Sequence, residues 1–175
     1  MRETEKPRKF GFSLVEVMIT VFVLALTSAL VVSMYSGNTQ TKLRAAAQML
    51  AADMAYAQIE SVTHDDKITH GDNHRIVIFD QANNRYYLAI KSHPDTPITN
   101  PMDQSDYETI FGRGRAVHLS DVTIDSFDLN GDNILEFGLF GELDQTTPAT
   151  ITLACHGQTI TLSVHPTTGQ ITISN

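Results

Sequence analysis

The chain has 175 residues, enough for one domain plus an accessory segment and too few for two large domains. Its 20 acidic and 12 basic residues give a net charge of −8, and a surface of that sign repels phosphate backbones, which argues against non-specific nucleic-acid binding. A single cysteine, Cys155, excludes an intramolecular disulfide.

The apolar residues are unevenly placed. Arg2, Lys6, Arg8 and Lys9 precede Gly11, and from Phe10 to Thr41 the only formally charged residue is Glu16. The run Phe12–Met34 holds neither Pro nor Gly. As a helix rising 1.5 Å per residue it would exceed the roughly 30 Å of a hydrocarbon core. Basic residues ahead of it favour an N-terminus in the cytoplasm and an exported remainder. A conventional secretory signal has a shorter apolar core than this run. A plain single-span anchor explains the length and the basic flank but not Glu16, because a carboxylate inside a bilayer costs a few kcal/mol unless it is paired, protonated or near the interface. A cut between Gly11 and Phe12 would create an α-amino group four residues before Glu16, on the same helical face. Between chains displaced along the helix axis, the amine of one would meet the carboxylate of the next. Misaligned chains would leave both charges unpaired, so such a pair sets register.

Past Gly37 the helical pattern continues to about Val62. Leu43, Ala47, Leu50, Met54 and Ala57 form an apolar stripe expected to pack on the rest of the chain. Lys42, Arg44, Gln48, Asp53 and Gln58 are expected on other faces. After His64 the pattern turns to strands. Arg75–Asp80 and Arg85–Lys91 read as a hairpin joined through Gln81–Asn84, and Pro94–Asp106 reads as a Pro-rich loop. Shorter strand candidates follow at Ala116–Leu119, Val122–Asp128 and Leu135–Phe140. Thr150–Cys155, Thr159–His165 and Gln170–Ser174 come last, with turns at His156–Gly157 and Thr167–Gly169. Ile151, Leu153 and Cys155, then Ile160, Leu162 and Val164, alternate as one buried face. The expected fold is α+β: a long N-terminal membrane-spanning helix and a β-rich head of two packed antiparallel sheets.

The segment K-F-G-F-S-L-V-E-V-M-I-T resembles the type IV prepilin and type II secretion pseudopilin superfamily: a short basic leader, Gly11, an aromatic Phe12, Glu16 at the fifth mature position and an unbroken apolar helix. The later order of strands, with L-E-F-G-L-F-G, T-I-T-L and terminal G-Q-I-T-I, is similar to H-type minor pseudopilins and FimT-like minor pilins. The resemblance implies a leader over 1–11, a transmembrane and filament-core helix over 12–36, its amphipathic continuation over 37–64 and a periplasmic head over 65–175. It implies cleavage between Gly11 and Phe12 by a prepilin peptidase, N-methylation of Phe12, and assembly through Phe12 and Glu16 with other subunits on an inner-membrane platform. The implied role is that of a structural subunit of a secretion pseudopilus or pilus-like filament, held in the inner membrane before assembly. A filament-tip module binding DNA, a surface or a secreted substrate is the alternative.

Other candidates carry local readings beside functional ones. Asp128, Asn130 and Asp132 are spaced as in the first half of a calcium loop, with Glu136 as a further oxygen. Asn133 and Leu139 stand where an EF-hand needs Gly and a bidentate acid, and an Asn-Gly turn explains the same residues. His64, His70 and His74 lie near Asp65, Asp66 and Asp72 in a polar connection that suits a solvated loop better than a closed zinc site. Phe111–Arg115 holds two arginines of a kind that touch phosphate, yet Thr159–Asn175 has no Lys or Arg. Neither G-x-S-x-G nor a P-loop occurs, and Cys155 and His156, adjacent on a strand, would point to opposite faces. No enzyme, cofactor or nucleic-acid partner is expected.

Overall fold

The computed structural model describes residues 13–64 and 74–174, with helix side chains described for 13–28 and 38–63. It has one long helix, α1 (Leu14–His64), and nine strands: β1 (Arg75–Asp80), β2 (Arg85–Ile90), β3 (His93–Pro97), β4 (Glu108–Ile110), β5 (Thr123–Asp128), β6 (Ile134–Glu136), β7 (Ala149–Cys155), β8 (Gln158–Val164) and β9 (Ile171–Ser174). The chain divides into two units between Asn38 and Thr39.

In the first unit the helix carries apolar side chains that are exposed all along its described length, from Leu14 and Val15 to Leu24 and Leu26. Among the described residues no helix is long and apolar enough to cross a membrane. The described side chains of the apolar run end at Ser28, and Leu14 to Ser28 rises only about 22 Å, short of the roughly 30 Å that a span requires. The membrane-spanning expectation therefore depends on residues beyond this stretch.

The second unit follows from two periodicities. Leu43, Ala46, Ala47, Leu50, Met54 and Ala57 are all buried, so the stripe in the sequence is the packing face of the helix. It meets Val77, Phe79, Tyr86 and Leu88 of the first sheet and Ile151, Leu153, Ile160 and Leu162 of the second. Truncating one of the larger of these side chains, such as Leu50, to alanine should cost about 2–5 kcal/mol. The first sheet runs β3-β2-β1-β6, with β4 also paired to β2, and the second runs β5-β7-β8-β9. Every paired neighbour is antiparallel. In β7 buried and half-buried positions alternate without a break, as one-sided packing demands. Ile76, Ile78 and Ala89 form a smaller cluster with Tyr87 and Ile134.

Three expectations need correction. Ala116–Leu119 is not a strand but part of a 3-10 segment, Gly114–Leu119. Gly112 and Gly114, both at positive φ, turn the chain tightly there, and Gly112 N–H donates to the Ala116 carbonyl at 2.9 Å. The Pro94–Asp106 stretch is not all loop, because β3 runs through Pro94 and Pro97. Prolines are tolerated there since β3 is an edge strand that needs few ladder donors. The Leu135–Phe140 candidate shrinks to β6, because Gly138 to Gly141 closes a turn in which Gly141 N–H donates to the Gly138 carbonyl at 3.0 Å.

Candidate assembly segment and the buried Asp53 cluster

Gly11 and Phe12 lie outside the described residues, as do Asp65, Asp66, His70, Asp72 and the His64 side chain. Glu16 is described: it sits in the first turn of α1. The Ser13 carbonyl accepts the N–H of Glu16 at 3.0 Å and of Val17 at 3.2 Å, which starts the helix. A carboxylate in that first turn opposes the positive end of the helix dipole, a local stabilisation of about 0.3–1 kcal/mol. Thr20, Thr27 and Ser28 return their hydroxyls to carbonyls one turn back, so the small polar residues of this stretch present little unsatisfied polarity. What remains outward is aliphatic and aromatic, including Met18, Ile19, Val21 and Phe22. Such a surface suits lipid or other apolar helices and not water.

The second unit holds a polar cluster that the sequence pattern conceals. Asp53 is not on an outer face: it is 5% exposed. One carboxylate oxygen accepts the Tyr86 hydroxyl at 2.6 Å, and the other accepts the Tyr107 hydroxyl at 3.0 Å and an Arg115 guanidinium N–H at 3.2 Å. The second terminal nitrogen of Arg115 bonds the first oxygen, making the pair bidentate. Arg115 also donates through Nε to Thr109 Oγ1 at 2.8 Å and lies over the Tyr107 ring at 5.0 Å from its centroid. Tyr107 in turn stacks on Tyr56, with ring centroids 5.2 Å apart. Burial, then the Asp53 charge, pushes the Tyr107 hydroxyl up to about 12 and the Tyr86 hydroxyl well above its ordinary value. Burial would lower the Arg115 guanidinium, but the Asp53 carboxylate outweighs it and holds the group above its usual value. The cluster ties α1 to β2, β4 and the 3-10 segment. A clue was present in the sequence: an isolated acid three residues beyond Leu50 and one before Met54 lies beside the apolar stripe.

Among the described residues, the remaining candidates make the following contacts within the fold. Asn130 and Gly131 both take positive φ between the bridged Leu129 and Asp132, a tight reversal of the Asn-Gly kind. Asp132 Oδ1 accepts the Ile134 N–H at 2.9 Å, and Glu136 accepts Lys91 Nζ at 2.7 Å. Among the described residues no group of three or more His, Cys, Asp or Glu side chains could hold a metal ion. His74 is buried, with Nδ1 3.0 Å from the Phe137 carbonyl oxygen. The Phe111–Arg115 cluster is split: Phe111 is in the core, Arg113 is exposed and Arg115 is committed to Asp53. Cys155 is buried and its thiol is pushed up by burial, while His156 turns outward to within 3.6 Å of Asp121. Most described cations are used within the fold: Lys42 on Asp121, Arg75 near Glu60, Arg85 on Asp80 and Glu108, Lys91 on Glu136.

Comparison with known proteins bears on both units. Residues 6–32 match the family model of the prokaryotic N-terminal methylation motif. Among solved structures, the minor pseudopilin EpsH from the type 2 secretion system of Vibrio cholerae is similar at 15% identity and a TM-score of 0.52, over 76% of this chain and 96% of that one. The type IV minor pilin FimU of Pseudomonas aeruginosa is similar at 17% identity and a TM-score of 0.50, over 78% of this chain and 90% of that one. A search of curated protein sequences gives no match. Residues 6–32 thus carry the methylation motif, and the chain shares its fold with the solved structures of a minor pilin and a minor pseudopilin.

Proposed function

We propose that the chain is a structural minor pilin or pseudopilin, matured by cleavage between Gly11 and Phe12 and assembled through its N-terminal helix. The observation that carries this reading is the methylation motif over residues 6–32 leading into a helix whose apolar side chains are exposed. A cut ahead of that helix keeps it in the mature protein, where it anchors the subunit in the inner membrane and then packs against its neighbours. The mature amine of Phe12 would meet Glu16 of an adjacent subunit. In apolar surroundings this pairing penalises every register that leaves a charge alone. The machinery that acts on it is a prepilin peptidase, an N-methylating activity and an inner-membrane assembly platform.

The head supports a scaffold role more than a nucleic-acid-binding tip. Its described basic side chains are largely engaged with carboxylates of the same chain, which leaves few cations to neutralise phosphates. The deciding measurement is intact mass and N-terminal analysis of the protein from its native membranes. A chain starting at N-methylated Phe12 is the expected result. A retained Met1 or a start beyond Ala25 would overturn the filament reading.

A further inference from the structure

β9 is the last strand of the second sheet, and no described strand lies beyond it. Along an antiparallel strand, residues alternate between those whose N–H and C=O bond the neighbour and those whose groups point away. The phase of that alternation is fixed at two places. The turn at His156 and Gly157, both at positive φ, closes β7 on β8 at the Cys155–Gln158 pair. Ile160, Leu162 and Val164 therefore bond β7, and Thr161 and Ser163 bond β9. At the other end His165 N–H donates to the Gln170 carbonyl at 2.9 Å, which gives Thr172 and Ser174 the same phase. The backbone N–H and C=O of Ile171 and Ile173 thus point away from β8, along an edge where Thr172, Ile173 and Ser174 are exposed.

Other strand edges of the fold are closed. β3 carries Pro94 and Pro97. β4 lies under Arg115 of the 3-10 segment, and its central Thr109 is buried. β5 is capped by side chains of the first sheet: Ile124 N–H donates to Asn84 Oδ1 at 2.9 Å, and the Asp125 carbonyl accepts Gln81 Nε2–H. β6 is backed by the segment that follows it, where Asp144 N–H donates to the Glu136 carbonyl at 3.4 Å. β9 has no charge, proline or bulge, the devices by which natural edges avoid pairing.

The side chains along the open edge add selectivity. Ile171 packs on the core, so it and Ile173 face α1. A groove of about 410 Å³ opens there, lined by Arg44 and Gln48 of α1 with Ile160 and Ile173. Arg44 is exposed and pairs with no described carboxylate, unlike Lys42, Arg85, Lys91 and Arg115. An unpaired cation beside an open edge favours an acidic partner and disfavours a basic one. We propose that β9 accepts an extended segment of a different protein as an added strand, with an apolar side chain of that segment over Ile160 and Ile173 and a carboxylate on Arg44. A second copy does not fit, because its β9 brings no carboxylate and its other edges are closed. The backbone groups of Ile171 and Ile173 and one ion pair make a small contact, under the about 1,200 Å² of stable complexes and suited to a transient encounter. The contact belongs to the second unit and goes beyond the subunit reading above.

Amide exchange followed by NMR on the full chain in detergent tests the open edge. The Ile171 and Ile173 amides should exchange about tenfold faster than that of Thr172, and equal protection at Ile173 and Thr172 would show the edge already covered and overturn the proposal. Binding is tested with a fluorescein-labelled, amidated peptide that alternates valine and threonine and carries one glutamate where the added strand meets Arg44. Its twin carries lysine at that position. Anisotropy titrations should show saturable binding of the glutamate peptide, about tenfold tighter than of the twin at low salt, and Arg44→Glu should reverse that order. Ile173→Pro deletes the outward N–H and leaves the ladder to β8 whole, so binding should be lost while the thermal unfolding midpoint is kept. Absence of saturable binding, equal binding of the two peptides, or undiminished binding to Ile173→Pro would sink the contact. The Arg44→Glu comparison holds however the proline variant folds. A failed titration leaves maturation at Phe12 untouched, and an unprocessed terminus leaves this contact standing, so the two readings fail separately.

Discussion

Replacing Asp53 with alanine removes the acceptor for two tyrosine hydroxyls and for both terminal nitrogens of Arg115. Breaking a buried ion pair by deleting one partner costs about 3–5 kcal/mol when the other charge stays buried. Arg115 keeps 34% of its side chain exposed and can turn its head group to water, which lowers the figure. Tyr86 cannot follow, since it is fully buried, and the loss of its charged acceptor costs about 1–3 kcal/mol. The expected penalty for Asp53→Ala is thus about 2–4 kcal/mol, a large share of a small domain's stability. Urea unfolding of the full chain in detergent would measure it, followed by circular dichroism because the chain has no Trp. Asp53→Leu combined with Arg115→Leu should cost far less than the two single changes added together, because no charge is then stranded. Strict additivity, or an Asp53→Ala penalty under about 1 kcal/mol, would refute the account of the cluster as a buried network that locks the helix to β2, β4 and the 3-10 segment.

Two further outcomes follow from the same geometry. Tyr107 deprotonates at about 12, above its ordinary value of 10.0, so the folded state holds a proton that the unfolded state releases. The stability this contributes is intact below pH 10 and is lost as pH rises through about 12, and tyrosinate absorbance should show a late step that coincides with unfolding. Asn84 takes φ 51° and bridges the two sheets by accepting the Ile124 N–H at 2.9 Å and donating to the Val122 carbonyl at 2.8 Å. Asn84→Gly keeps the backbone but loses both bonds and should cost about 1–2 kcal/mol, while Asn84→Ala should cost more because it adds left-handed strain; urea midpoints would rank them.

What was legible in the sequence was what a period announces. The helix stripe, the hairpin turns at His156–Gly157 and the alternation in β7 and β8 repeat over several residues, so each position supports the next. β4, with only three residues, leaves no pattern in the sequence, and the 3-10 segment reads there as a strand, because short pieces owe their form to tertiary partners and not to a repeat. Asp53 shows the same limit for side chains. A charge beside an apolar stripe reads as solvent-facing until its partners are known, and those partners lie 33, 54 and 62 residues away. The methylation motif over residues 6–32 is legible for the opposite reason: it is read locally, from consecutive residues.

The charge distribution constrains how heads of this kind can meet. With most described cations neutralised internally, the outer surface is dominated by carboxylates such as Asp95, Asp103, Asp125 and Asp128. Two copies approaching side by side therefore repel over a distance set by salt, about 30 Å at 0.01 M and about 8 Å at 0.15 M. An apolar contact acts at short range and is indifferent to that screening. Raising ionic strength should then favour association of the full chain in detergent, read as a rise in its sedimentation coefficient, since salt removes the repulsion and leaves apolar contacts untouched. Contacts held by opposite charges would behave in the opposite way and weaken with salt. The slope of association against salt thus decides whether apolar surface or charge holds neighbouring copies together.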